Sequence, residues 1–84
     1  MLTYKINIIE ALSEKGVNTT LARKTGIFGQ DTMRKFRNND TKISLDVLNR
    51  LCCILEMQPR DILKFTETQE DVENILSKIT YKCD

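Results

Sequence analysis

Ala22 and Gly26 stand one helical turn apart in Leu21-Ala22-Arg23-Lys24-Thr25-Gly26-Ile27, and a run of cations follows close behind. A residue as small as alanine lets a neighbouring helix approach closely. The glycine permits the left-handed backbone that ends a helix abruptly. Beyond the break, Thr32-Met33-Arg34-Lys35-Phe36-Arg37-Asn38 puts the apolar Met33 and Phe36 on one side of a second helix and most of its charge on the other. Two short helices joined by a tight turn, the second of them basic, leave few arrangements for an 84-residue chain.

The flanking pattern is helical as well. Residues 4–15 place Tyr4, Ile8, Ala11 and Leu12 on one stripe with Ile9 beside it, and Gly16 is the natural stop. Asn18 suits the N-cap of a short helix over 19–25. A third helix is expected over 30–38, with Asp31 in its first turn favouring the helix dipole. The polar loop Asn38-Asn39-Asp40-Thr41 then leads to Ser44, which caps a fourth helix with the stripe Leu45, Leu48, Leu51, Cys52 and Leu55. Pro59 opens a short fifth helix reaching Phe65. A sixth, over 69–81, carries Val72, Ile75, Leu76 and Ile79 at i, i+3, i+4 and i+7. No segment alternates with period two, so an all-α fold without strands is expected. Residues 1–66 read as one domain, and 67–84 as an added amphipathic helix and tail.

Composition narrows the function. One small core is all this length supports, without room for a second domain or an evident small-molecule pocket. No apolar run reaches membrane-spanning length, and Met1-Leu2-Thr3-Tyr4-Lys5 lacks the pattern of a secretion signal, so a cytoplasmic location is expected. The three cysteines, Cys52, Cys53 and Cys83, form no disulfide framework and no Cys-x-x-Cys pair, and there is no histidine. They read as buried or half-buried reduced thiols, and neither a metal nor a cofactor is expected. Nothing suggests an enzyme: the carboxylates Glu70 and Asp71 fall on the solvated face of the last helix. The formal net charge of +1 conceals an asymmetry, with eight Lys/Arg against four Asp/Glu in residues 1–43 and five against eight thereafter. The basic half suits a polyanion.

The candidate binding surface lies on the third helix. With Met33 and Phe36 inward, Asp31, Arg34, Lys35 and Asn38 point outward, and Gln30 and Thr32 flank that face at its N-terminal end. Arg and Lys donate to guanine O6 and N7, Gln pairs with adenine, and Thr touches a thymine methyl. Asp31 either accepts from cytosine or caps its own helix, and capping is the favoured reading. Arg37 and Lys42 lie toward the edge and suit phosphates. Asn18, Thr19, Asn39 and Thr41 are the other candidates for the DNA backbone.

Taken together, these segments resemble the lambda-repressor-like (Xre/Cro) helix-turn-helix family, in particular its small single-domain members. The resemblance rests on Leu21 to Ile27, on Arg37-Asn38, on Ile43-Ser44-Leu45-Asp46-Val47-Leu48-Asn49-Arg50-Leu51-Cys52 and on Leu55-Glu56-Met57-Gln58-Pro59-Arg60-Asp61-Ile62-Leu63, and it covers about residues 4–65. Against the family pattern the chain is about one residue short between Gly16 and Leu21 and one long between Ile27 and Thr32. It also lacks the usual glycine after the third helix. Gly29 either absorbs the extra residue within the turn or seats Phe28 in a different pocket.

The resemblance implies a compact five-helix domain plus the C-terminal helix. It also implies a sequence-specific regulator, a repressor by the simplest mechanism, that reads a double-stranded operator as a homodimer. Val72, Ile75, Leu76 and Ile79 then either pack on the chain's own core or pair with a second copy. The alternative is a protein-interaction module on the same fold, such as an antitoxin, antirepressor or immunity partner, motivated by the acidic tail.

Overall fold

The structure, a computed structural model, describes residues 1–80 of the chain. Strand β1 (Leu2–Tyr4) is followed by helices α1 (Ile8–Glu14), α2 (Thr19–Thr25), α3 (Gln30–Arg37), α4 (Leu45–Leu55) and α5 (Pro59–Ile62), and then by strand β2 (Leu63–Phe65). A last helical segment comprises α6 (Gln69–Asp71), a π-helical stretch Val72–Leu76 and α7 (Ser77–Thr80).

The expected helix ends are set by local chemistry. Asn18 Oδ1 accepts from the Leu21 amide at 2.8 Å, and Ser44 Oγ accepts from the Val47 amide at 3.1 Å. Each satisfies a donor that the first turn of a helix leaves open. Gly26 closes α2 at φ 72°, and its amide donates to the Ala22 carbonyl. A methyl group added to Gly26 would meet no atom within 4 Å. Its replacement by alanine therefore acts through backbone strain alone, and Gly26→Ala is expected to lower stability by about 1–2 kcal/mol, read from the urea midpoint.

The strands correct the all-α expectation. β1 pairs with β2 antiparallel, in the register Leu2↔Phe65, Thr3↔Lys64 and Tyr4↔Leu63. Main-chain bonds from Lys5 to Ile62 (2.8 Å) and from Thr66 to Met1 (3.0 Å) extend the ladder at both ends. Consequently α1 begins at Ile8, not at residue 4, with Asn7 Oδ1 accepting from the Glu10 amide at 3.1 Å. The fifth helix stops at Ile62, before the predicted end at Phe65. Both terminal segments of the domain trade a helical turn for pairing with each other.

The core consists of Ile8, Leu12, Ala22, Phe28, Met33, Phe36, Leu51, Leu55 and Ile62, all at most 4% exposed. Phe28 and Phe36 meet edge to face with ring centroids 5.2 Å apart. Phe28 thus lies inside the core, while Gly29 serves as the N-cap of α3. Leu45 departs from its predicted stripe and is 83% exposed. On α4 the buried side centres between Leu51 and Leu55, and Leu45 lies roughly 100° away from that centre. Cys52 is half-buried but Cys53 is exposed, against the expectation of two shielded thiols.

The C-terminal segment does not fold back on the core. Val72 is half-buried, whereas Ile75, Leu76 and Ile79 are about half exposed, and the molecule measures 53 × 21 × 19 Å. Its start is tied to the other end of the chain: the Met1 ammonium donates to the Thr66 carbonyl and pairs with Asp71, which also accepts from Thr68 Oγ1 at 2.9 Å. These partners hold the Asp71 carboxyl below its ordinary pKa. Cys83 and the end of the predicted sixth helix lie outside the described residues.

Candidate nucleic-acid interface

Helix α3 turns Met33 and Phe36 inward, which leaves Gln30, Asp31, Arg34, Arg37 and Asn38 exposed and Thr32 and Lys35 half-buried. Of the four residues expected to point outward, Asp31, Arg34 and Asn38 are exposed, whereas Lys35 is half-buried. Asp31 does not cap the helix, because Gly29 takes that position and no side chain bonds the first turn. Its carboxylate instead lies 3.5 Å from the Arg34 guanidinium, one turn on. So exposed a pair contributes little to stability. Its effect is to bias where the Arg34 side chain rests.

Two attachments hold α3 at its ends: one comes from Arg50, which the sequence does not single out as a site residue, and the other runs through Lys35, Asn39 and Lys42, which it does. At the leading end, Arg50 of α4 donates to the Ile27 carbonyl in the turn at 2.7 Å and pairs with Asp46 at 3.1 Å. The turn is thereby fixed to α4 by a charge-assisted bond as well as by buried Phe28. At the trailing end, Asn39 adopts φ 56°, a left-handed conformation that asparagine tolerates better than most residues. The loop then folds on itself. The Asp40 amide donates to the Lys35 carbonyl at 2.8 Å, Asp40 Oδ1 accepts from the Lys42 amide at 2.9 Å, and Lys35 Nζ donates to the Lys42 carbonyl at 2.8 Å.

Tyr4 joins this loop from β1: its hydroxyl donates to the Asp40 carbonyl at 2.7 Å. Partial burial, reinforced by the Asp40 carboxylate, pushes the hydroxyl pKa above its ordinary value, so it remains a donor at neutral pH. The spacing of Arg50 from Asp46, one turn along a helix, was the available signal for the first attachment. Tyr4 gave none, since its partner is distant in the chain.

Among the described residues, Arg23, Lys24, Arg37 and Lys42 have no carboxylate within ion-pair distance. They leave unneutralised charge on the last turns of α2 and α3 and in the loop that follows. Asn18 and Thr19 at the start of α2 and Asn39 after α3 are exposed, and Thr41 is half-buried with Oγ1 3.5 Å from the Leu2 carbonyl. Two helices joined by a short turn, the first with a buried alanine and a left-handed glycine at its end, the second with an exposed basic face, constitute a helix-turn-helix for DNA.

A family model of the Cro/C1-type HTH DNA-binding domain matches residues 7–68, and the chain belongs to that family. It is a DNA-binding regulator of that general kind. No curated protein and no solved structure matches the chain significantly. Among the described residues, no helix is long and apolar enough to cross a membrane.

Proposed function

We propose that the protein is a transcriptional repressor that inserts α3 into the major groove of a specific operator and binds as a homodimer. The observation that carries the reading is the exposed face of α3, anchored at both ends and lined by Gln30, Arg34 and Asn38. Gln30, Thr32, Arg34 and Asn38 reach base edges, and Asp31 accepts from cytosine or restrains Arg34. Lys35, whose ammonium is drawn to the Lys42 carbonyl, sits at the boundary between bases and backbone. Asn18, Thr19, Arg37, Asn39, Thr41 and Lys42 serve the phosphates. Residues 1–66 form the DNA-binding unit. Within 67–84, Val72, Ile75, Leu76 and Ile79 supply the dimer contact, supported by the exposure of the last three. Occlusion of polymerase at the operator gives repression.

The test is binding to duplex DNA across a salt series, with sites first selected from random sequence. About three neutralised phosphates per protomer predict a log–log salt slope of about −5 for the dimer. A two-fold-symmetric selected site is also expected. A flat salt response without enrichment, together with one stoichiometric protein partner, would transfer the protein to the alternative class of interaction modules. The exposed apolar side of the C-terminal segment would then be the surface for that partner.

A further inference from the structure

We propose that Tyr4 is a positioning residue for DNA binding: through the Asp40 carbonyl it fixes the α3–α4 loop where Asn39, Thr41 and Lys42 meet the phosphate backbone. The inference rests on the reading of that loop as a phosphate-binding element. It assigns a role to strand β1, which lies apart from the helix-turn-helix and outside the matched family segment.

The loop has two sets of restraints, and they do different things. The bonds from the Asp40 amide to Lys35, from the Lys42 amide to Asp40 and from Lys35 Nζ to Lys42 all lie within residues 35–42. Two of them end on Lys35 and tie the loop to the end of α3, and the third closes the loop on itself. The 2.7 Å bond from the Tyr4 hydroxyl originates in a distant element. Its ring packs against the core, and its backbone is held in the ladder opposite Leu63. A rigid donor on a paired strand thus locates the loop relative to the core on which α3 is seated. Thr41 Oγ1, at 3.5 Å from the Leu2 carbonyl, adds a longer contact to the same strand. Binding to phosphates depends on such placement, since a displaced cation loses its partner without any change in its own chemistry.

Tyr4→Phe removes the hydroxyl and keeps the ring. The variant is expected to bind duplex DNA about 3- to 10-fold more weakly, the effect of one hydrogen bond. Selected and unrelated sequences should suffer equally, because phosphates carry no base information, and the salt slope should become shallower. In the free protein, amide exchange at Asp40 and Lys42 should quicken. A double-mutant cycle with Lys42→Gln separates placement from general stability: Tyr4→Phe should cost less affinity once the Lys42 cation is gone. Additive losses, or wild-type affinity and slope in Tyr4→Phe, would overturn the positioning role alone. A wild-type protein without salt-sensitive DNA binding would overturn the interface reading itself, and the role of Tyr4 with it. Should Tyr4→Phe fold poorly, Thr41→Val and the loop exchange rates test the same strand attachment; unchanged exchange in that variant counts against the proposal.

Discussion

Arg34→Glu combined with Arg37→Glu is expected to weaken binding to operator DNA by at least about 100-fold while the domain stays folded. A good arginine–base pairing is worth about 1–3 kcal/mol. Reversal also places two carboxylates against the phosphates, and the salt slope should flatten by about one for each phosphate that is no longer neutralised. The folded state has less to lose. Both side chains are exposed, and the ion pair that Arg34 forms with Asp31, at 3.5 Å, is of the surface kind worth at most about 1 kcal/mol. Acidic residues in the last turn oppose the helix dipole by about 0.3–1 kcal/mol each. Lys35 is a poorer target for this experiment, because its ammonium holds the Lys42 carbonyl and its reversal would disturb the loop as well as the charge. Fluorescence anisotropy with a labelled operator, alongside a thermal melt, measures both quantities. Near-wild-type binding by the folded double variant would remove α3 from the interface.

The largest effect on stability is expected at Phe36. Its side chain is 1% exposed, and its ring meets Phe28 edge to face at 5.2 Å. Truncation to alanine removes that ring pair and leaves a cavity between α3 and the rest of the core, a change that costs about 3–5 kcal/mol. Small domains have total stabilities toward the low end of about 5–15 kcal/mol. Phe36→Ala should therefore populate the unfolded state measurably at 37 °C, and urea denaturation should show a sharply lowered midpoint. A loss below about 1.5 kcal/mol would mean that the core closes around the gap or that Phe36 is not central to it. DNA binding would fall too, but in proportion to the unfolded fraction, which separates this variant from the charge reversals.

How much of this was legible in the sequence depended on how far apart the interacting residues lie. Asn18, Gly26 and Ser44 act on amides or carbonyls within four residues of themselves, so α2 and the start of α4 could be placed directly. The outward face of α3 followed from Met33 and Phe36, since a helix fixes the relative direction of every side chain it carries. Strands β1 and β2 escaped detection for the opposite reason. Each has three residues, too few to show alternation, and Tyr4 and Leu63 also fit a helical stripe. Their pairing is stabilised by bonds between segments about sixty residues apart, which no local pattern records. Leu45 shows a subtler limit. Periodicity gives the positions that share a stripe, but the packing of Leu51 and Leu55 decides where the centre of the buried side falls.

The site divides along the same line. Residue type and helical spacing determined on their own that the third helix presents Asp31, Arg34 and Asn38 outward, with Gln30 flanking that face, and that the turn before it is tight; Lys35, placed on the same face, is half-buried. Only the tertiary structure decided how that helix is held: by Arg50 from α4 to Ile27, and by Tyr4 from β1 to Asp40. The pairing of Asp31 with Arg34 is by contrast local, three residues apart on one helix, and it replaces capping because the cap position falls to Gly29. A helix is specified by bonds within one or two turns of chain. Its placement against the rest of the protein is specified by interactions between elements, and those exist only after the chain has folded.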